Sequence, residues 1–162
     1  MEKKSIFWMI SVLLSSLGFF LIENTFTIQP DVNSGNGNLG LLIIMLFSPV
    51  FIASYILTFK LAKEKSNNVK NRKMHAWILL LSLIFCVFLM VAILNYANEL
   101  VIALGGTPAN PDSRIYRFGW FNQYTNSIYF NVYTFLMSHM IVVMAGVLSV
   151  ISKFGKQEKN TL

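Results

Sequence analysis

Charge, cysteine and catalytic punctuation are all scarce in this chain. Charged residues make up 12% of its 162 positions, about half the share of an ordinary soluble domain. The single cysteine, Cys86, excludes an intrachain disulfide, and its place inside an apolar run marks it as a small buried hydrophobe. The only two histidines, His75 and His139, fall on different apolar segments. They sit too far apart in depth to share a haem, and zinc is left without ligands. Methionine could serve copper, but at helical spacing Met137, Met140 and Met144 point away from the His139 face. No cofactor or metal is expected.

Catalytic signatures are missing as well. The chain has no Gly-x-Ser-x-Gly, no His-Glu-x-x-His, no phosphate-binding glycine loop and no pair of carboxylates within an apolar segment. The nearest approach to an acid site is Glu99 with Asn95 and Asn98, and an ion pair from Glu99 to Arg114 or Arg117 accounts for it. The expectation is that the protein is not an enzyme.

What the chain has instead is apolar length. Hydrophobic residues make up 55% of it, and its mean hydropathy is +0.58. Four apolar segments, at about 6–22, 39–59, 76–94 and 128–151, are each about long enough to cross roughly 30 Å of hydrocarbon as a helix. Eleven of the thirteen basic residues fall at the N-terminus, between segments two and three, or after segment four. The other connectors hold only Arg114 and Arg117, with the acids Glu23, Asp31, Glu99 and Asp112. Retention of Lys and Arg on the cytoplasmic side then predicts an all-α, up-down-up-down bundle of four transmembrane helices, one domain over 1–162, with both termini cytoplasmic. A bacterial cytoplasmic membrane suits this bias. Lysines confined to membrane-proximal loops argue against nucleic acid.

Local features refine this outline. After Ile22 no small-x-small cleavage site follows, so the first segment is read as an uncleaved span, with Ser11, Ser15 and Gly18 on one close-packing face. Residues 23–38, rich in Gly and Asn, read as an outside connector. Pro49 frees the Met45 carbonyl and predicts a kink, with a donor expected from a neighbouring helix. The basic stretch 60–75 is read as a cytoplasmic loop that fixes topology and attracts anionic lipid headgroups, with His75 solvated at its end. The third helix is expected to continue past the membrane to Leu104, where Gly105-Gly106 stops it.

Two sites follow. The last segment places Asn131, Thr134, Ser138, Val142, Ala145, Ser149 and Ser152 in one arc, edged by His139 and Gly146, opposite bulky residues that include Val147 and Leu148. Counting from the helix ends puts Ser15, Ser48, Cys86, Ser138 and His139 at one depth, which suggests a mid-membrane polar layer with His139 bonded to Met45, Ser48 or Ser15. A mid-membrane histidine is costly and is often functional, and an unperturbed value near 6.5 suits proton exchange. The second site is the outside segment 95–127, where Arg114, Arg117 and Trp120 stand among Tyr and Phe. It reads as an interfacial aromatic belt or as a contact surface for a membrane-protein partner or a second copy. The functional expectation is an accessory, partner-binding membrane protein, and the alternative is a proton-linked carrier or channel subunit using His139.

Overall fold

Asparagine side chains cap the starts of three of the long helices. A computed structural model describes residues 3–33, 37–69 and 71–159, with side chains up to 152. The expected turn at 34–36, Lys70 and the tail from 160 lie outside the described residues. Helix α1 covers Lys3–Leu21 and passes into a π-helical turn over Ile22–Phe26. Asn38 caps α2, Leu39–Asn67, by accepting the Leu41 N–H at 3.1 Å. Asn71 caps α3, Arg72–Ala103, through the Lys73 N–H at 2.9 Å. A single-turn helix α4, Asn126–Tyr129, precedes α5, Val132–Lys159. No strand occurs among the described residues, and four helices are long and apolar enough to cross a membrane.

Three boundaries differ from the sequence reading. The 60–75 stretch is helical up to Asn67 and again from Arg72, because helix continues through lysines that were read as loop. Helix α5 starts at Val132 rather than 128 and runs on past 151, as far as Lys159. Pro49 lies inside α2, and the Ser48 hydroxyl donates to the freed Met45 carbonyl at 2.9 Å. The missing donor thus comes from the same helix, one residue before the proline.

The helices form a bundle around α5, which packs along both α2 and α3, while α1 packs on α2. Although α2 and α3 are joined by a tight turn, they hardly touch. Small residues mark the contacts. Ser11, Ser15 and Gly18 of α1 are buried, and a Cβ on Gly18 would lie 2.6 Å from the Phe47 ring and 2.7 Å from that of Phe51. Phe19 and Phe51 are the buried centre of an aromatic cluster that includes Phe47, Phe130 and Phe135. On α3, His75, Ser82 and Leu89 are buried and Tyr96 half-buried, one residue every seven, the spacing that keeps one seam against a neighbour.

The buried face of α5 is turned from the stripe read in the sequence. Gly146, Val147 and Val150 are buried, whereas Ala145 and Ser152 are exposed. Gly146, taken as an edge of the stripe, lies at the α2 contact: a Cβ there would stand 2.8 Å from the Ala62 Cβ and 3.1 Å from the Phe59 carbonyl oxygen. Rotamer changes cannot relieve a clash with backbone. Gly146→Ala is expected to lower stability by about 1–3 kcal/mol through overpacking, despite alanine's better helix propensity. Ala145→Leu is expected to change it by less than about 0.5 kcal/mol. Unfolding in mixed detergent micelles measures both.

Candidate functional site

The mid-helix cluster is assembled by α2 and α5. The His139 Nδ1 lies 2.9 Å from the Phe135 carbonyl one turn earlier. A carbonyl only accepts, so Nδ1 carries a proton. The Nε2 lies 3.3 Å from Ser54 Oγ, which is also 2.9 Å from the Phe51 carbonyl. In the neutral ring, the one Ser54 hydrogen serves either Nε2 or Phe51. In the doubly protonated ring, Nε2–H donates to Ser54 and Ser54 donates to Phe51, so both forms are accommodated by rotation of a hydroxyl hydrogen. Tyr55 donates to Ser138 at 3.1 Å, and Ser138 donates to the same Phe135 carbonyl at 2.9 Å. The Phe135 and Tyr55 rings flank the imidazole at centroid distances of 4.3 and 4.9 Å.

The structure joins His139 and Ser138 through Phe135, but it brings neither Ser48 nor Ser15 to them. Ser48 is bonded to Met45, and Ser15 is fully buried with no partner for its hydroxyl. Cys86 is half-buried. The partners that sequence reading missed are Ser54 and Tyr55. Ser54 lies on the seam Phe47, Phe51, Ser54, Thr58 of α2, whose spacing of four, three and four is visible in the sequence. Beside the cluster, a cleft of about 560 Å³ reaches Tyr55 and Ser138 between α2 and α3, walled by Ile93, Tyr129, Phe130 and Met137.

His75, expected to be solvated, is 1% exposed. Its Nε2 donates to the Ser66 carbonyl at 3.0 Å across the α2–α3 turn. The reason is the seven-residue seam of α3, which carries His75 inward along with Ser82 and Leu89.

Beyond the helices, residues 104–125 fold on themselves. The end of α3 is closed by Gly106 N–H on the Val101 carbonyl at 2.9 Å and Gly105 N–H on Ile102 at 3.0 Å, with Gly105 at φ +81°. Leu104, Ile115 and Tyr124 then form a core with Ile28 and Leu100 packed against it. Polar side chains hold the turns: Ser113 donates to Gly106 O at 2.7 Å, Asn122 to Gly119 O at 2.7 Å and Thr125 to Trp120 O at 2.7 Å. Asn126 and the α2 cap Asn38 exchange two amide hydrogen bonds, 2.6 and 3.2 Å long. Gly40 leaves room for this pair, because a Cβ there would collide with Asn126 Nδ2. Asn131 and Thr134 cap α5 reciprocally at 2.9 Å, and Asn131 also donates to Ser127 O at 2.7 Å. The Glu23 carboxylate accepts the Val132 N–H at the start of α5, where a helix favours negative charge.

Phe118, Trp120, Phe121 and Tyr129 remain 43–48% exposed on this cap. Arg114 donates to Asn33 at 2.9 Å, and the Arg117 guanidinium lies 5.0 Å from the Tyr116 ring centroid, from a backbone at φ +64°. Glu99 is exposed and forms no ion pair with either arginine, so the expected bridge is replaced by the Arg114–Asn33 bond. Among the described residues, no group of three His, Cys, Asp or Glu side chains could hold a metal ion. No family model, curated protein or solved structure matches the chain.

The Ser54–His139 bond links α2 to α5 and should contribute the usual modest amount for such bonds in a bilayer. A double-mutant cycle with Ser54→Ala and His139→Ala, followed by unfolding in bicelles, is expected to give a coupling of about 0.6 kcal/mol. The same cycle with Ser48→Ala is expected to give none, because Ser48 serves its own helix.

Proposed function

We propose that the chain crosses a membrane four times, up-down-up-down with both termini cytoplasmic, as a non-enzymatic accessory protein whose outer cap docks on a membrane-protein partner. The spans are supported by four helices of suitable length and composition, whose apolar residues, Leu46, Ile52, Phe88 and Leu148 among them, stay exposed. Lys4 faces Glu64, Trp8 bonds Thr58 and Phe19 stacks on Phe51: positions rise along α1 as they fall along α2, as antiparallel spans require. The basic end of α2 and α3 supports the cytoplasmic assignment and would draw anionic headgroups to residues 60–75. A bacterial cytoplasmic membrane fits this distribution.

The observation that carries the partner reading is the cap itself. It has its own core, and its turns are tied by side chains, yet it leaves four aromatic rings exposed, and Arg114 and Arg117 are exposed as well. Aromatic and arginine side chains dominate binding energy at protein interfaces, and a frame that is already ordered avoids most of the entropy loss on docking. Capture of the full chain from its native membrane by a C-terminal tag is expected to retain a stoichiometric partner. Arg114→Ala, Arg117→Ala and Trp120→Ala together are expected to weaken retention at least tenfold, a loss of about 1.4 kcal/mol or more. Recovery of the chain alone, as a homo-oligomer, or with undiminished partner in the triple variant would discard this reading.

A second reading, a proton-linked carrier or channel subunit, is favoured by one observation: the Ser54 hydroxyl accommodates both protonation states of His139. It requires pH-driven flux in proteoliposomes that His139→Ala abolishes while the helices stay folded. Flux that is absent, or unchanged in the variant, excludes it.

A further inference from the structure

A groove of about 560 Å³ lies between α1 and α2 beside the Lys4–Glu64 pair. Its walls are Phe7 and Trp8 on α1 and Leu57 and Leu61 on α2, and its rim carries Lys4, Lys60 and Glu64. The sequence gives the depth of that rim. Lys4 stands just before the apolar run of α1 and Lys60 just after that of α2, so the two ammonium groups mark one edge of the apolar zone from opposite sides of the groove. Phe7, Trp8 and Leu57 lie about one turn inward. The Trp8 indole N–H is held by Thr58 Oγ1 at 2.9 Å, which fixes the ring as a wall.

The rim carries two cations against one carboxylate. Lys4 and Glu64 are 3.9 Å apart, with side chains 81% and 48% exposed, and an ion pair so open to solvent holds its lysine weakly. Lys4 is therefore free to turn to another anion, and the rim keeps one net positive charge.

We propose that this groove seats one glycerophospholipid of net charge −1, with its phosphate between Lys4 and Lys60 and an acyl chain along Phe7, Trp8 and Leu57. Charge complementarity selects this occupant: an anionic headgroup neutralises the rim, whereas a zwitterionic one leaves its net charge in place. The apolar wall directly below the lysines suits a ligand whose phosphate is joined to a hydrocarbon chain. The site rests on the four-span reading and is independent of the outer cap.

Trp8 is its own reporter, since the chain has three tryptophans and Trp77→Phe with Trp120→Phe leaves Trp8 alone. The full chain carrying these two changes is reconstituted with phospholipids brominated on the acyl chains, which quench a neighbouring indole. Brominated phosphatidylglycerol, in competition with plain phosphatidylcholine, is expected to occupy the Trp8 site about fivefold more than brominated phosphatidylcholine does, equivalent to about 1 kcal/mol. Lys4→Gln with Lys60→Gln is expected to bring that ratio to about one, and Glu64→Gln to raise it. Lys65→Gln with Lys73→Gln, outside the groove, removes the same charge and is expected to lower it by less than half as much, which separates a seated lipid from diffuse attraction. Each variant is checked for unchanged helicity by circular dichroism. Equal quenching by the two lipids overturns the proposal, as does preference for phosphatidylethanolamine or a preference that survives in Lys4→Gln/Lys60→Gln. Absence of quenching by every brominated lipid overturns the four-span reading and the site with it.

Discussion

Where α5 crosses α2, the lack of a side chain at Gly146 lets the α5 backbone come against the Phe59 carbonyl and the Lys63 amide, and that approach positions the helices packed on α5. Hydrocarbon solvent removes the usual reward for hiding leucine from water, so contact has to come from backbones that fit closely and from polar groups that find partners. Gly18 under the Phe47 and Phe51 rings meets the first requirement between α1 and α2. Ser54 with His139, and Trp8 with Thr58, meet the second. Ser15 meets neither, buried with an unpartnered hydroxyl; its small size, rather than its polarity, explains its place on the α1 seam.

The cap that follows α3 obeys a different physical rule. Its chain has few apolar residues to bury, and Asn, Ser and Thr side chains take over the work of holding backbone turns. Asn38 ends one connector and caps α2 while its amide pairs with Asn126 of another connector. Asn131 caps α5 and grips the end of α4. These amides tie the cap to the ends of α2 and α5.

Helix existence was legible in the sequence because four long apolar runs leave little choice, and the Gly105-Gly106 stop was legible because φ near +81° belongs to glycine. The phase of α5 was not. Polarity was taken as the marker of the packed face, which drew Ala145 and Ser152 into the stripe and left Val147 out, whereas the buried face centres on the smallest residue, Gly146. His75 escaped notice because a histidine flanked by Lys73 and Trp77 looks interfacial until the spacing to Ser82 and Leu89 is counted. The polar layer was placed by counting from helix ends; α2 extends further at its basic end than its apolar run does, and it is Ser54, not Ser48, that stands opposite His139. Ser48 is bonded to Met45, a use for a hydroxyl just before proline that depth counting does not register.

The central helix is also the last of the four long helices to leave the ribosome. Chains emerge from their N-terminal end, so α1, α2 and α3 are complete before α5 exists, and of these only α1 and α2 pack substantially on each other. Until α5 arrives, α2 and α3 are joined by their connector and the His75–Ser66 bond, with Ser54 and the α3 seam of Ser82 and Leu89 uncovered. Assembly is thus a late insertion of one helix between two that have been waiting for it, and a chain halted after Asn131 keeps α3 tied to α1 and α2 only at its ends, through His75 and the cap.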